Sequence, residues 1–562
     1  MLIKFFKFIL ILLLFCQNPL YSKSKTLNDF NSHYLSNYFS GIVAQQSQDN
    51  SQALKFFTSS KFLIKQHNSY LERYIHTLVL EGKVQQASSV IKQNLTESNS
   101  DFFEAHLLLA LDSLKKKKYK KSKDHLQKSY EFIKNDKISL IITETLKEYL
   151  YVFEKNKIPD EKKNYGNFSS INEVLQRCYL NDENTKTYFE NLVNVENSEN
   201  YSRYIFFQLG YLIKNNNYDE AKEITDNLDY LNSSLLISQG KKWVEDRESK
   251  KFKKIFSCIN SNDIVSELFF LAANLYSSEG DYERSNFYLN ISHYLNPKFI
   301  FNLSLLAENY YLQGDYLKTK KVLKYFDEKE EIYYWFKIKK EAQVISMEKN
   351  ADESLNFINQ NLKKFKDPSI KIIFDIANFN KNAKKFKEAI KFYDQILLKT
   401  DGNSLIYSDI LYRRGSSYER IGDYKNSDKD LLASLLINPD DAYVLNYLAY
   451  SWLEREYKID LALQMLEKAF ATRSNDPYII DSIGWAYYLV DDYAKAENFL
   501  KRAVKLMPED PTVNDHYADI LWKLGRKIQA RYFWKNVLNL EETKEEMKID
   551  IGEKLIQGLK NS

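Results

Sequence analysis

Apolar residues between positions 477 and 510 fall three and four apart in two runs, Ile479 to Leu489 and Tyr493 to Val504, with a short break at 490–492. That spacing keeps one apolar stripe on each of two successive helices and predicts helix, turn, helix. Small residues stand among the large ones: Gly484, Ala496 and Ala503 accompany Tyr487, Tyr493 and Leu500, and Pro508 follows the second run. Two antiparallel helices joined by a short turn touch closely only where Gly, Ala or Ser faces the neighbour, so these residues mark the seam. Pro508 ends the pair because it lacks an amide donor and clashes with the preceding turn.

The pattern recurs with a period of 34. With Pro477 as position 1, Gly484 is position 8, Tyr487 is 11, Ala496 is 20, Ala503 is 27 and Pro508 is 32. Residues 511–544 repeat it with Ala518, Leu521, Gly525 and Ala530; 408–441 with Gly415, Tyr418, Gly422 and Pro439; 442–476 with Ala449, Trp452, Ala462 and Ala469 and one inserted residue. The phase continues upstream through 266–299 and 300–333, each with a Gly-Asp-Tyr turn, and through the more degenerate 335–368 and 370–403. Eight units therefore span 266–544. Three more are expected at 34–67, 68–101 and 103–136, and one at 203–236 inside an irregular helical stretch, 137–265. The polar loop at 157–167 is the expected boundary between two subarrays. In the tail, 545–562, Met547, Ile551, Leu555 and Leu559 share one face, as a helix capping the last unit requires.

These residues resemble the tetratricopeptide repeat, strongly over 408–544 and weakly before 266. The resemblance implies an all-α fold, a right-handed α-solenoid of antiparallel helix pairs, that works by binding rather than by catalysis. In that family the concave groove is lined by positions 2, 5, 9, 12 and 13 of each unit. Carried onto the four best units, this selects Tyr412, Glu419, Arg420, Tyr443, Asn446, Tyr450, Asp481, Trp485, Tyr488, Asp515, Asp519 and Trp522. Two readings of this aromatic and acidic stripe stand side by side. The rings pack against adjacent helices while the carboxylates are solvated, or together they recognise a protein or peptide segment.

Composition narrows the picture. With 562 residues the chain exceeds what one core supports, and only 14 Gly and 8 Pro suit a helix-rich protein. Its 80 basic and 76 acidic residues nearly balance, which gives no reason to expect nucleic acid as a partner. At the N-terminus, Lys4 and Lys7 precede the apolar run 8–15, then Pro19 and polar residues, the pattern of a secretory signal over 1–22. The periplasm or cell envelope is the expected destination. There Cys178 and Cys258 meet an oxidising environment, although two cysteines in a long helical chain make no framework, and two free buried thiols are the default expectation. The basic run at 115–123 reads as a solvated turn or, alternatively, as an attraction to an anionic lipid or polysaccharide surface, with peripheral membrane association.

No phosphate-cradling, dinucleotide or nucleophile-elbow motif is present, and the seven His form no close metal-ligand pair. No cofactor, metal or catalytic residue is therefore expected. His516 beside Asp515 reads as a helix-surface histidine rather than an acid–base pair. The expected function is an exported scaffold or adaptor for envelope protein assembly. The alternative is a carbohydrate-handling component of polysaccharide export or cell-wall maintenance.

Overall fold

The computed structural model describes residues 32–65, 67–94, 102–133, 136–161, 163–193, 202–228, 231–232 and 234–559. The signal expected at 1–22 lies outside them. Thirty α-helices and one short 3-10 turn make up the described residues, with no strand among them, so the fold is all-α. No helix among the described residues is long and apolar enough to cross a membrane.

The close approach implied by the small residues is measurable. A Cβ at Gly484 would lie 2.8 Å from Leu500 Cγ, and one at Gly415 would lie 3.0 Å from Leu431 Cγ. At these two seams the helices pack at a separation that leaves too little room for a Cβ. At the same position Ala449 and Ala518 are fully buried. Turns are set by local chemistry. Gly422 has φ +78°, and the following Asp423 accepts a hydrogen bond from the Asn426 amide, capping the Tyr424–Ile437 helix. In 477–510 the same left-handed place is taken by Asp491, φ +62°, before the cap Asp492. Asp476 and Asp510 each cap a helix that begins with proline, Pro477–Leu489 and Pro511–Lys523.

The chain divides into two compact units. The first comprises residues 1–196 and 250–322, so the polar loop near 157–167 lies within it. In this unit the Tyr282–Leu295 helix packs on the Asn68–Leu80 and Val84–Gln93 helices. Phe287 stacks on His76 with centroids 5.1 Å apart, and Asn290 Nδ2 donates to the Leu80 carbonyl at 3.2 Å. The Lys115 ammonium donates to the Tyr294 carbonyl at 2.6 Å and sits 3.7 Å from that ring's centre. His76, Leu80 and Lys115 occupy positions 9, 13 and 13 of units 68–101 and 103–136, so a helix of the same chain covers that face. The basic run is also partly spoken for, since Lys116 pairs with Asp112 at 2.9 Å and Lys123 with Glu154 at 2.7 Å.

The cysteines differ from expectation. Cys178 and Cys258 form a disulfide with Cα atoms 5.7 Å apart across 80 positions. Sequence spacing carries no information on this proximity, because the fold returns residues 250–322 to the N-terminal helices.

The second unit comprises residues 197–249 and 323–562. From 405 onward its helix pairs follow one another along a continuous core that includes Leu448, Trp452, Ile483, Leu500, Leu521 and Trp534. The Glu545–Gln557 helix packs on the last pair through fully buried Ile551.

Candidate functional site

The sequence-selected residues separate into two groups. The first is drawn together at the C-terminal end of the second unit. Asp481, on the Pro477–Leu489 helix, meets Nδ1 of His516, on the Pro511–Lys523 helix, at 2.9 and 3.2 Å. Both residues are buried. The imidazole stacks on Trp485 at 4.1 Å, and Trp485 stacks on Tyr488 at 4.6 Å. One helical turn further, Lys554 reaches in from the Glu545–Gln557 helix and bonds Asp515 at 2.8 and 2.9 Å and Asp519 at 3.0 and 3.2 Å. Nε1 of Trp534 donates to Asp519 at 2.9 Å and to Asp515 at 3.1 Å. Trp522 packs on Trp534 and lies under the guanidinium of Arg531, 4.8 Å from its ring centre.

This cluster satisfies its own charges. Burial opposes the charged form of His516, but the bond to Asp481 and the fields of Asp515 and Asp519 outweigh it and raise the imidazole pKa. Burial, then the neighbouring Asp515 carboxylate, push Asp519 up to about 7, against the pull of Lys554. Lys554 is lowered by burial and raised by more than that by the two carboxylates. His516 is thus no surface histidine, and its partner is Asp481 rather than Asp515. Successive helical residues point about 100° apart, which sends Asp515 toward Lys554 instead.

The second group lies across the Leu405–Arg420 and Ala442–Leu453 helices. Tyr412 meets Tyr447 edge to face at 5.8 Å, and the Tyr447 hydroxyl donates to Glu419 at 2.8 Å. Arg420 is exposed, with Nε 3.6 Å from Glu419. Tyr443 is 47% exposed, its ring beneath the Arg473 guanidinium at 5.2 Å. Oδ1 of Asn446 is enclosed and has no hydrogen-bond partner among the described residues. Tyr450 lies 6.4 Å from the His516 ring and links the two groups.

Lys381 completes this strip. It stands at position 12 of the degenerate unit 370–403, outside the four units from which groove residues were drawn. Its ammonium donates to Ser416 Oγ at 2.8 Å and lies 5.9 Å from the centre of the Tyr412 ring. Burial and then the Arg413 charge bring it down to about 8. Extending the 34-residue register to 370–403 finds Lys381. Nothing in the register finds Lys554, which belongs to the tail.

Residues 408–441 match the family model of the tetratricopeptide repeat. A TPR repeat-containing protein of Pseudomonas aeruginosa is 33% identical over 101 residues, a stretch covering 18% of this chain and 17% of that protein. Among solved structures, a tetratricopeptide repeat protein from Parabacteroides merdae is 15% identical and aligns over 45% of this chain and 97% of its own, with a TM-score of 0.36. PilW, a type IV pilus biogenesis factor, is 18% identical over 34% of this chain and 85% of its own, with a TM-score of 0.30. The matched unit has the capped turn and the glycine seam measured above, and the pairs that follow it are built alike. The chain thus carries a tetratricopeptide repeat at 408–441, within a longer run of helix pairs built alike.

Proposed function

We propose that the protein is an exported, non-catalytic scaffold that holds a segment of another protein along the strip formed by Tyr412, Glu419, Arg420, Tyr443, Asn446 and Tyr450, in the service of envelope protein assembly. The observation that carries this reading is the unpartnered, enclosed Oδ1 of Asn446 beside the exposed Tyr443. A buried acceptor without a donor is costly, and turning the half-buried Asn446 side chain toward the amide of a docked backbone relieves it. Tyrosine beside it supplies contact area at low entropic cost. The Asp481 to Trp522 cluster offers less, because its carboxylates are already bonded to His516, Lys554 and Trp534.

That internal satisfaction also weakens the carbohydrate alternative, which needs acidic and aromatic side chains turned outward. It weakens a catalytic role for His516 as well, since the ring is sandwiched by Trp485 and bonded to Asp481. Export is supported by the signal-like pattern of 1–22 and by the Cys178–Cys258 bridge, which suits an oxidising compartment.

The test is a photo-crosslinking residue placed at Tyr443 in living cells, with one at Tyr532, 70% exposed, as the control. A discrete protein adduct at Tyr443 alone is the expected result. A glycan adduct, or equal labelling at both sites, would defeat the reading.

A further inference from the structure

We infer that the ammonium of Lys381 is the anchoring point for a carboxylate carried by the docked segment. This deepens the reading above and rests on it. Arg413 is held by Asp409 at 3.0 and 3.1 Å, and Arg420 lies 3.6 Å from Glu419. Arg414 lies between Asp394 at 2.6 Å and Asp430 at 2.7 Å. Each of these three arginines therefore has a carboxylate, and Arg473 lies over the Tyr443 ring on the neighbouring unit. Lys381 has none among the described residues, and its one hydrogen bond goes to the neutral hydroxyl of Ser416.

The surroundings sharpen this imbalance. The charges acting on Lys381 are Arg413 and Arg420, which repel it, and Asp409, which is already engaged by Arg413. A part-buried ammonium with two like charges nearby and no counter-ion is in an unfavourable state that an arriving carboxylate relieves. Tyr412 and Tyr447 flank the place and supply apolar surface for the chain that carries it. The C-terminal cluster has the opposite design, with Lys554 supplying the cation to Asp515 and Asp519 from within the chain. The unmet charge on this face of the second unit is thus positive, and the partner it selects is acidic.

The experiment uses the full mature chain and three pools of random dodecapeptides, all N-terminally acetylated. The first contains Asp and Glu and is amidated at its end. The second lacks Asp and Glu but ends in a free carboxylate. The third lacks both. At pH 7 either the first or the second pool is expected to be retained at least tenfold over the third, and which one it is identifies a side-chain or a terminal carboxylate. Lys381→Met should abolish the preference and Lys381→Arg should keep it.

A second measurement needs no variant. Arg413, Arg420, Asp409 and Glu419 also face this place, and burial holds the Tyr412 and Tyr447 phenols above their usual range between pH 7 and 9.5. Lys381, brought down to about 8, loses its proton over that interval, so the wild-type preference should fade. Equal retention of all three pools, or a preference that survives both Lys381→Met and pH 9.5, overturns the anchoring role while leaving segment binding intact. Retention of no pool overturns both.

Discussion

His516 and Asp481 are bonded at 2.9 Å across thirty-five positions of sequence, joining one helix pair to the next through a buried imidazole and carboxylate. The bond turns two polar residues into part of the packing between neighbouring units, with Trp485 lying over the ring. Beside it, Lys554 does the same for Asp515 and Asp519.

Stability should depend on pH in a direction opposite to that of an ordinary acid-labile carboxylate. The folded pKa of His516 is raised, so its contribution is complete below the unfolded value near 6.5 and is lost as pH climbs through the folded one. Asp519 is raised to about 7, so between roughly 4 and 7 the folded state holds a proton that the unfolded chain releases, and stability falls as pH rises. Both effects have the same sign. Melting of the second unit is expected about 2–6 °C higher at pH 6 than at pH 8. Asp481→Asn should flatten the slope, which calorimetry across that range measures.

Lys554→Met leaves two carboxylates facing each other without a cation. A cost of about 3–5 kcal/mol is expected from urea unfolding. Adding Asp515→Asn and Asp519→Asn to the same chain should recover most of it, because the pair then needs no counter-charge.

One substitution should have opposite signs at two glycines. Gly484→Ala puts a methyl group 2.8 Å from Leu500 Cγ and should destabilise by about 1–3 kcal/mol. Gly552→Ala lies within a helix and meets nothing within 4 Å, so it should stabilise by about 0.5–1 kcal/mol. Thermal melts of the two variants check the pair.

Cys178→Ser should lower the stability of the first unit by about 4.5 kcal/mol, the loop-closure cost for a bridge spanning 80 positions. The wild type should migrate faster without reductant than with it on a denaturing gel, and the variant should not.

The repeat was legible because its cause is local. Gly415, Gly484, Ala449 and Ala518 sit at one place in the period because a neighbouring helix allows nothing larger, and sequence records that limit directly. Partners across units were not legible. Asp481, Asp515 and Asp519 were identifiable as residues on one face, but whether they met solvent, a ligand or another part of the chain depended on Lys554 and His516. The tail's apolar stripe announced a cap, and nothing in its period announced an ammonium reaching two acids. Cys178 and Cys258 were equally opaque, since their meeting depends on the route of the chain through 250–322.

The Tyr282–Leu295 helix lying on residues 68–115 has a practical corollary. Fragments cannot be cut by reading from left to right. A piece stopping ahead of residue 250 would lose the bridge to Cys258 and leave His76 and the Leu80 carbonyl bare, whereas a piece that keeps 250–322 together with the N-terminal helices retains both.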